Sequence, residues 1–323
     1  MAWKKPLFEG VGVLNALPVT DSGAFNEREY ERHLGFLFDS GVSFVQPGAA
    51  AGQVMTTSRE EFKRSLELAV KAAGGKAKVT AYTGRGSTAE TVALTQIAAD
   101  VGADAAFVVP PTITKPDAPG LYAHYRTLAD AVAPFPIVLY NNPERAGISL
   151  PLDVARRLLI DVPNVVALKN ADNETYVKSW QLLGDVSPVY ARNEGEALVA
   201  LSMGAPGFLS ISGNAIPGPL VELDRRWDTR DPAAALELYR ALIPAIRAAA
   251  TPPSPAGLHH VLALLGWSFG QPRMPILPVS RGGPEAERIA AGLEESNAAL
   301  QALGLPTFAT GGPPLPSRRA PGN

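Results

Sequence analysis

The chain has 323 residues, 46% of them hydrophobic and 19% charged, so it can bury a full core in one large α/β domain or two small ones. Its formal net charge of -2, with no long run of Lys and Arg, excludes the electrostatic signature of a protein that binds nucleic acid or an anionic membrane. The absence of cysteine excludes disulfides, thiolate catalysis and Cys-based metal sites, and the four histidines lack metal-ligand spacing. We therefore expect a small-molecule partner and no metal.

The sequence carries no signal for export or for a membrane. Residues 1–6 lead into no apolar segment of the kind found in signal peptides. No apolar run reaches the roughly 18 residues that a membrane span requires. A cytoplasmic location is the expectation.

Short β-type runs alternate with amphipathic helical stretches from residue 11 to about residue 210, a pattern typical of repeated βα units around a parallel sheet. The eight predicted strands are 11–16, 42–46, 78–82, 105–109, 136–140, 165–169, 188–191 and 207–211. Helices between them include 27–38, 59–73, 89–101 and 151–159, with Asn26, Ser58 and Thr88 among the predicted N-caps.

Eight such units favour a (β/α)₈ TIM barrel over an open doubly wound sheet. The first strand is followed by residues 17–20 and not by a Gly-rich phosphate turn. Residues 83–87 are glycine-rich but follow the third strand and lack the spacing of either phosphate-loop motif. They are interpreted as a barrel loop, with anion binding as the alternative.

Three regions are predicted along the chain. Residues 1–225 form the barrel that carries the active site, and residues 226–303 form a C-terminal helical domain with helices at 232–250, 255–265 and 284–303. The tail 304–323 is rich in Pro and Gly and has no apolar periodicity, so it is predicted to be disordered.

Lys169 closes the apolar run 165–168, and Tyr140 closes the preceding predicted strand. An amine at the inner end of a buried strand loses hydration, which favours the free amine that can attack a carbonyl. Both residues also have a purely structural interpretation. A lysine at a strand end often reaches solvent, and a tyrosine is common at the rim of a barrel. In a barrel, however, strand ends converge on one mouth, where the active site lies.

The segment Tyr140-Asn141-Asn142-Pro143-Glu144-Arg145, followed by Lys169 at the end of the sixth strand, resembles the dihydrodipicolinate synthase and N-acetylneuraminate lyase family of class I aldolases. Supporting segments occur in order at residues 17–20, 87–90, 109–111, 120–122 and 204–207. The resemblance covers roughly residues 8 to 300. It implies a barrel with a C-terminal helical domain, assembled as a homo-oligomer, either a dimer or a tetramer.

By this resemblance, Lys169 forms a Schiff base with pyruvate or another 2-oxo acid, and Tyr140 relays protons. The protonated imine is an electron sink that stabilises an α-carbanion, which makes or breaks a C-C bond with an aldehyde. The resemblance implies no metal and no cofactor apart from the covalent imine.

Two departures from the family's pattern concern substrate binding. The family's Gly-Thr-Thr-Gly-Glu loop after strand two aligns with Ala49-Ala50-Ala51-Gly52-Gln53, which has lost both hydroxyls. Ala50, Ala51 and Gly52 are therefore expected to bind the 2-oxo acid carboxylate through backbone N–H groups. The synthases have a further tyrosine in their proton relay. The position of that tyrosine aligns near Ile113 here, so this member of the relay is absent. These departures argue against a housekeeping dihydrodipicolinate synthase.

Four more residues are assigned to substrate binding through the resemblance. Arg145 matches an arginine that positions a carboxylate, a task suited to its guanidinium fork, and its alternative is an exposed loop arginine. Asn193 and Glu194, after strand seven, are expected to hold a hydroxylated aldehyde or a second carboxylate, and the alternative is a helix cap. Leu209, in strand eight, is expected to line the pocket.

Two other functions stay open at this point. The same imine supports dehydration of a 2-keto-3-deoxy sugar acid, in which no C-C bond is broken. A barrel that has lost catalysis and serves as a binding subunit is favoured by the missing hydroxyls, whereas the retained Tyr140 and Lys169 favour an enzyme.

Overall fold

The computed structural model describes residues 4–308 and contains eight parallel strands. They are β1 (Gly10–Val13), β2 (Phe44–Val45), β3 (Lys78–Tyr82), β4 (Ala105–Val108), β5 (Ile137–Asn141), β6 (Val165–Asn170), β7 (Val189–Tyr190) and β8 (Gly207–Ser210). The order in the sheet is β7-β6-β5-β4-β3-β2-β1-β8. A parallel bridge between Ala191 and Phe208 joins the two ends, so the sheet forms a nearly closed barrel. The predicted TIM barrel is confirmed.

Twelve α-helices surround and extend this barrel within the described residues. They are α1 (Glu27–Asp39), α2 (Arg59–Ala73), α3 (Thr88–Val101), α4 (Ala118–Val132), α5 (Pro143–Ala146), α6 (Leu152–Asp161), α7 (Tyr176–Leu183), α8 (Ala197–Ser202), α9 (Pro217–Asp228), α10 (Pro232–Ala249), α11 (Ala256–Leu264) and α12 (Pro284–Ala302). None of the helices in this part of the chain combines the length and the apolar composition needed to cross a membrane.

Predicted and observed element ends differ by one to three residues at several places, and two of these differences have a clear local cause. Strand β1 stops at Val13 and not at residue 16, because Ala16 N donates to the side chain of Asn214 (3.0 Å) and not to a neighbouring strand. The N-cap of α3 is Ser87, whose side chain accepts from Glu90 N (3.2 Å). Thr88, which was predicted to be the cap, is the first helical residue.

Aromatic rings fill the amino-terminal part of the barrel. The ring of Phe8 lies 4.5 Å from that of Phe44, 5.7 Å from that of Phe107 and 4.8 Å from that of Tyr190, measured between centroids. The Tyr190 hydroxyl donates to Phe8 O (2.7 Å), so the one polar atom of this cluster is satisfied. With this end closed by packing, polar side chains are left to the opposite end, where the strands terminate.

The C-terminal helices pack on one another and also reach back to the barrel. Pro244 interrupts the hydrogen bonding of α10, and the freed Ala245 N donates to Ser296 Oγ of α12 (2.9 Å). Between α11 and α12, Arg273 makes a bidentate ion pair with Glu61 at the start of α2 (2.5 and 2.8 Å). The segment around Arg273 is therefore fastened to the loop that leads into α2.

The division into a barrel at 1–225 and a helical domain at 226–303 stays a prediction, and α9 runs across the proposed boundary. Phe308 N and O form hydrogen bonds with the side chain of Asn297 (2.9 and 2.8 Å), so the first residues of the predicted tail contact α12. Residues 309–323 of that tail lie outside the described residues.

Asp224, on α9, packs against the start of β1. A Cβ on Gly10 would lie 3.3 Å from its Oδ2, and Gly10 itself has a φ of 80° that favours glycine. Burial, and then the negative charges of Asp228 and Glu9, raise the pKa of Asp224 to about 7. The folded state therefore binds a proton that the unfolded chain releases near pH 4.

We expect Asp224→Asn to raise the Tm at pH 8 by at least about 2 °C and to leave the Tm at pH 4 almost unchanged. The pKa of Asp224 is raised in the folded state, so its contribution to stability is complete below about pH 4 and is lost as the pH rises to about 7. Thermal unfolding of both proteins across this pH range is the measurement. A pH-independent difference in Tm would contradict the expectation.

Candidate active site

Lys169 lies on β6 at the carboxyl end of the barrel and is only 1% exposed. Its Cα is paired in register with that of Tyr140 on β5, and its Nζ lies 4.4 Å from the centroid of the Tyr140 ring. Within the described part of the chain, no carboxylate forms an ion pair with this amine. The sequence-predicted pair is thus brought together, with the amine enclosed and without a counter-ion.

The turn after β5 holds Tyr140 in place. Asn142 Nδ2 donates to the Tyr140 hydroxyl (2.7 Å), and Asn142 Oδ1 accepts from Arg145 N (3.2 Å), which caps the short helix α5. Pro143 suits the first helical position, where no N–H is needed. Because Asn142 donates to the phenol oxygen, the phenol keeps its own proton available for donation. Asn142 was not predicted as a site residue, although the turn motif contained the signal.

A buried polar network joins the ends of β5 and β6. Asn141 Nδ2 donates to Asn170 Oδ1 (3.0 Å), and Ser149 Oγ donates to Asp172 Oδ2 (2.5 Å). Burial alone raises the pKa of Asp172, but hydrogen bonds led by that from Ser149 outweigh it and hold the pKa below its ordinary value. The network fixes the backbone immediately after Tyr140 and after Lys169.

Tyr82 closes β3 and was not predicted as a site residue. Its ring meets the Tyr140 ring edge to face, with centroids 6.2 Å apart. Burial and the neighbouring Tyr140 raise the pKa of Tyr82, while the positive charges of Arg85 and Arg145 oppose that rise. The hydroxyl makes no hydrogen bond with any described residue. It could have been found by applying to β3 the strand-end rule that identified Tyr140 and Lys169.

The loop after β2 places Ala50, Ala51 and Gly52 at the carboxyl end of the barrel. A Cβ on Gly52 would lie 2.9 Å from Asn15 O, so the close approach of the chain requires glycine. Gln53 anchors the loop by accepting from Arg273 N (2.5 Å). The backbone N–H groups of residues 50–52 donate to no acceptor among the described residues.

The other four predicted binding residues differ in their exposure and in their hydrogen bonds. Arg145 is exposed on α5 and has no ion pair in the described part of the chain. Asn193 Oδ1 accepts a hydrogen bond from Gly195 N (2.9 Å). Asn193 therefore caps the following helical turn, as the alternative interpretation of this residue predicted. Glu194 is buried, and its Oε1 accepts from Ser212 N (2.7 Å) in the loop after β8. Leu209 is fully buried on β8. Substrate binding by these four residues stays a prediction.

Polar atoms around α7 are incompletely paired. Arg192 forms an ion pair with Glu196. Among residues 4–308, no hydrogen-bond partner is found for the buried atoms Arg192 Nε, Glu196 Oε2, Tyr176 Oη and Trp180 Nε1. No group of three or more His, Cys, Asp or Glu side chains among the described residues is arranged to hold a metal ion.

Comparison with known proteins gives a consistent result. Residues 7–291 match the Dihydrodipicolinate synthetase family. The chain is 32% identical over 291 residues to a 4-hydroxy-tetrahydrodipicolinate synthase of Salinibacter ruber, covering 90% of this chain and 96% of the relative. It is 37% identical over 267 residues to one of Synechococcus sp., covering 81% and 87%. The pyruvate complex of the chloride-inhibited dihydrodipicolinate synthase of Acinetobacter baumannii gives a TM-score of 0.84 at 27% identity, covering 89% and 98%.

Proposed function

Since this chain belongs to the dihydrodipicolinate synthetase family, we propose that Lys169 forms an imine with pyruvate or another 2-oxo acid and that the enzyme makes or breaks a C-C bond with an aldehyde. The single observation that carries the proposal is the enclosed Lys169 amine beside the Tyr140 ring, 4.4 Å from its centroid. The amine is enclosed beside a phenol and has no ion-pair partner among the described residues, an arrangement that suits a lysine nucleophile.

Tyr140 supplies the proton transfers. Attack of the Lys169 amine on the C2 carbonyl gives a carbinolamine, whose hydroxyl must gain a proton to leave as water. The next step removes a proton from C3 of the iminium to give the enamine, which attacks the aldehyde carbonyl. The phenol, which accepts a hydrogen bond from Asn142 (2.7 Å), is placed to give and take back a proton beside the imine.

The carboxylate of the 2-oxo acid is proposed to bind the loop of Ala50, Ala51 and Gly52. Three backbone N–H groups without an acceptor support this, because unpaired amides in a turn form an anion-binding concavity. No hydroxyl from this loop assists, so the amides carry the interaction. This protein should therefore bind pyruvate more weakly than family members whose loop carries the two hydroxyls.

The homo-oligomer stays a prediction. Large apolar side chains on the loops at the carboxyl end of the barrel support it, since Met55, Ile113 and Met274 are exposed by 79%, 87% and 69%. Exposed apolar side chains of this size are typical of surfaces that other protein chains cover.

We expect borohydride reduction in the presence of pyruvate to leave one adduct per chain, on the peptide that contains Lys169. Mass spectrometry of the intact protein and of its peptides is the measurement. Lys169→Ala should give no adduct, whereas Lys178→Ala, which removes an exposed lysine of α7, should give the wild-type result. An adduct that persists in Lys169→Ala would refute the assignment.

We expect Tyr140→Phe to keep the fold and to lower kcat by about 10²-fold or more, the scale of a lost general acid-base group. Tyr122→Phe is the matched control, because its hydroxyl donates to Asp161 (3.1 Å) on the outer helices. Steady-state rates of pyruvate release or consumption give the comparison. Equal kcat values in the two variants would assign proton transfer to another group.

We expect Ala51→Thr to bind pyruvate more tightly than the isosteric Ala51→Val, by about 10-fold, because the threonine hydroxyl adds a hydrogen bond to a charged carboxylate. The two variants impose the same packing change at a fully buried position, so their difference isolates the hydroxyl. The measurement is the pyruvate concentration for half-maximal imine trapping. Identical values would mean that the carboxylate binds elsewhere.

A further inference from the structure

Residues 268–273, between α11 and α12, cross two loops at the carboxyl end of the barrel, and we call them the crossing segment. Over the loop after β1, Val19 N donates to Phe269 O (3.0 Å). Gly270 has a φ of 67°, and a Cβ there would lie 2.2 Å from Val19 O, so this close approach requires glycine. The path of the crossing segment over the β1 loop is therefore fixed.

Arg273 ends the crossing segment and spreads its guanidinium over both loops. Its Nε donates to Gly23 O in the β1 loop (2.9 Å), and its Nη1 donates to Thr56 O in the β2 loop (2.9 Å). The same guanidinium forms the bidentate ion pair with Glu61 (2.5 and 2.8 Å). The Arg273 side chain is only 14% exposed, and bidentate pairs of this kind are strong and directional. The position of the Arg273 backbone is therefore well determined.

The backbone of Arg273 in turn holds Gln53, which lies 220 residues away in the sequence. Arg273 N donates to Gln53 Oε1 (2.5 Å). Gln53 has a φ of 54°, in the left-handed region that residues other than glycine seldom adopt. Such a conformation persists only where the surrounding structure enforces it. The hydrogen bond from the crossing segment is one contact that enforces it.

The conformation of Gln53 determines how the neighbouring amides are directed. Gln53 N donates to Ala50 O (3.0 Å), which closes a tight turn with Ala51 and Gly52 at its centre. If the backbone of Gln53 relaxed towards a negative φ, this turn would open. The peptide planes of residues 50–52 would then rotate, and their N–H groups would no longer point in one direction.

We propose that Arg273 is a positioning residue for the carboxylate of the 2-oxo acid: through Gln53 it holds the turn at residues 50–53 in the conformation that binds the anion. This rests on the proposed binding of the carboxylate to that loop. Amides that are already aligned bind without a further loss of conformational entropy. A residue of the C-terminal part of the chain thus sets the affinity for the charged group without touching the substrate.

The test compares imine trapping of pyruvate with that of methyl pyruvate, which carries the same 2-oxo group beside an uncharged ester. Arg273→Gln should raise the pyruvate concentration for half-maximal trapping by about 10-fold, the scale of one lost hydrogen bond to a charged group. The value for methyl pyruvate should stay within about 2-fold. The adduct at saturating pyruvate should still reach one per chain, because Lys169 is unaltered.

A second variant separates positioning from damage to the fold. Gln53→Met removes the acceptor of Arg273 N but leaves the ion pair with Glu61 in place, so it should weaken pyruvate selectively as well. Arg64→Gln is the matched control, because it removes an exposed arginine of α2 that pairs with Glu27 (2.8 Å), and both ketones should bind it as they bind the wild type. Unchanged pyruvate trapping in Gln53→Met, or equal weakening of both ketones in either variant, would overturn the proposal.

Failure of the proposed function is visible separately, as the absence of any Lys169 adduct between the wild type and pyruvate. In that case, hydrogen exchange of the backbone amides in residues 48–57 still tests the positioning of the turn. Exchange should be faster in Arg273→Gln than in the wild type and in Arg64→Gln, because the turn opens more often. Equal exchange in the three proteins would refute the role of Arg273.

Discussion

The enclosure of the Lys169 amine against the Tyr140 ring is the contact on which the proposed chemistry of this barrel depends. Lys169 and Tyr140 are opposed because β5 and β6 keep one register from Val138 to Asn141, after an irregularity between Ile137 and Val138, and this register places their Cα atoms side by side. A shift of one residue between these strands would turn one of the two side chains to the other face of the sheet. The parallel pairing of two strands therefore determines the geometry of a reaction centre that contains no metal ligand set among the described residues.

That register is reinforced by polar groups whose loss would be costly. Asn141 and Asn170 close β5 and β6 and bond to each other (3.0 Å), and Asp172 receives the Ser149 hydroxyl (2.5 Å). Asn141, Asn170 and Asp172 are buried, so each hydrogen bond lost from this network would cost about 0.5–1.5 kcal/mol. The C-terminal segment contributes in the same way, since Arg273 binds both Glu61 and Gln53 and so fastens the β2 loop.

The barrel was predictable because its strands are short apolar runs at regular intervals, and because a lysine and a tyrosine at strand ends stand out in such runs. The N-cap of α3 was misplaced by one residue since Ser87 and Thr88 are both good caps. Glu194 was predicted to bind substrate, with a local role at a helix start as the alternative. Its hydrogen bond from Ser212 N was not predicted, because that partner lies 18 residues away and across β8. Tyr82 was passed over because an aromatic strand residue is ordinarily core, and only the ring contact with Tyr140 distinguishes it.

The distribution of polar groups around the mouth separates two tasks. In the proposed function, the imine chemistry uses strand residues of β5 and β6, whose positions are fixed by the sheet, whereas carboxylate binding uses the loop after β2, which the sheet does not constrain. Residues 49–53 of that loop carry no hydroxyl, and the backbone N–H groups of residues 50–52 have no acceptor among the described residues. Since strand register is costly to change and loop sequence is not, the groups that bind the carboxylate can change in such a barrel while Lys169 and Tyr140 stay in place.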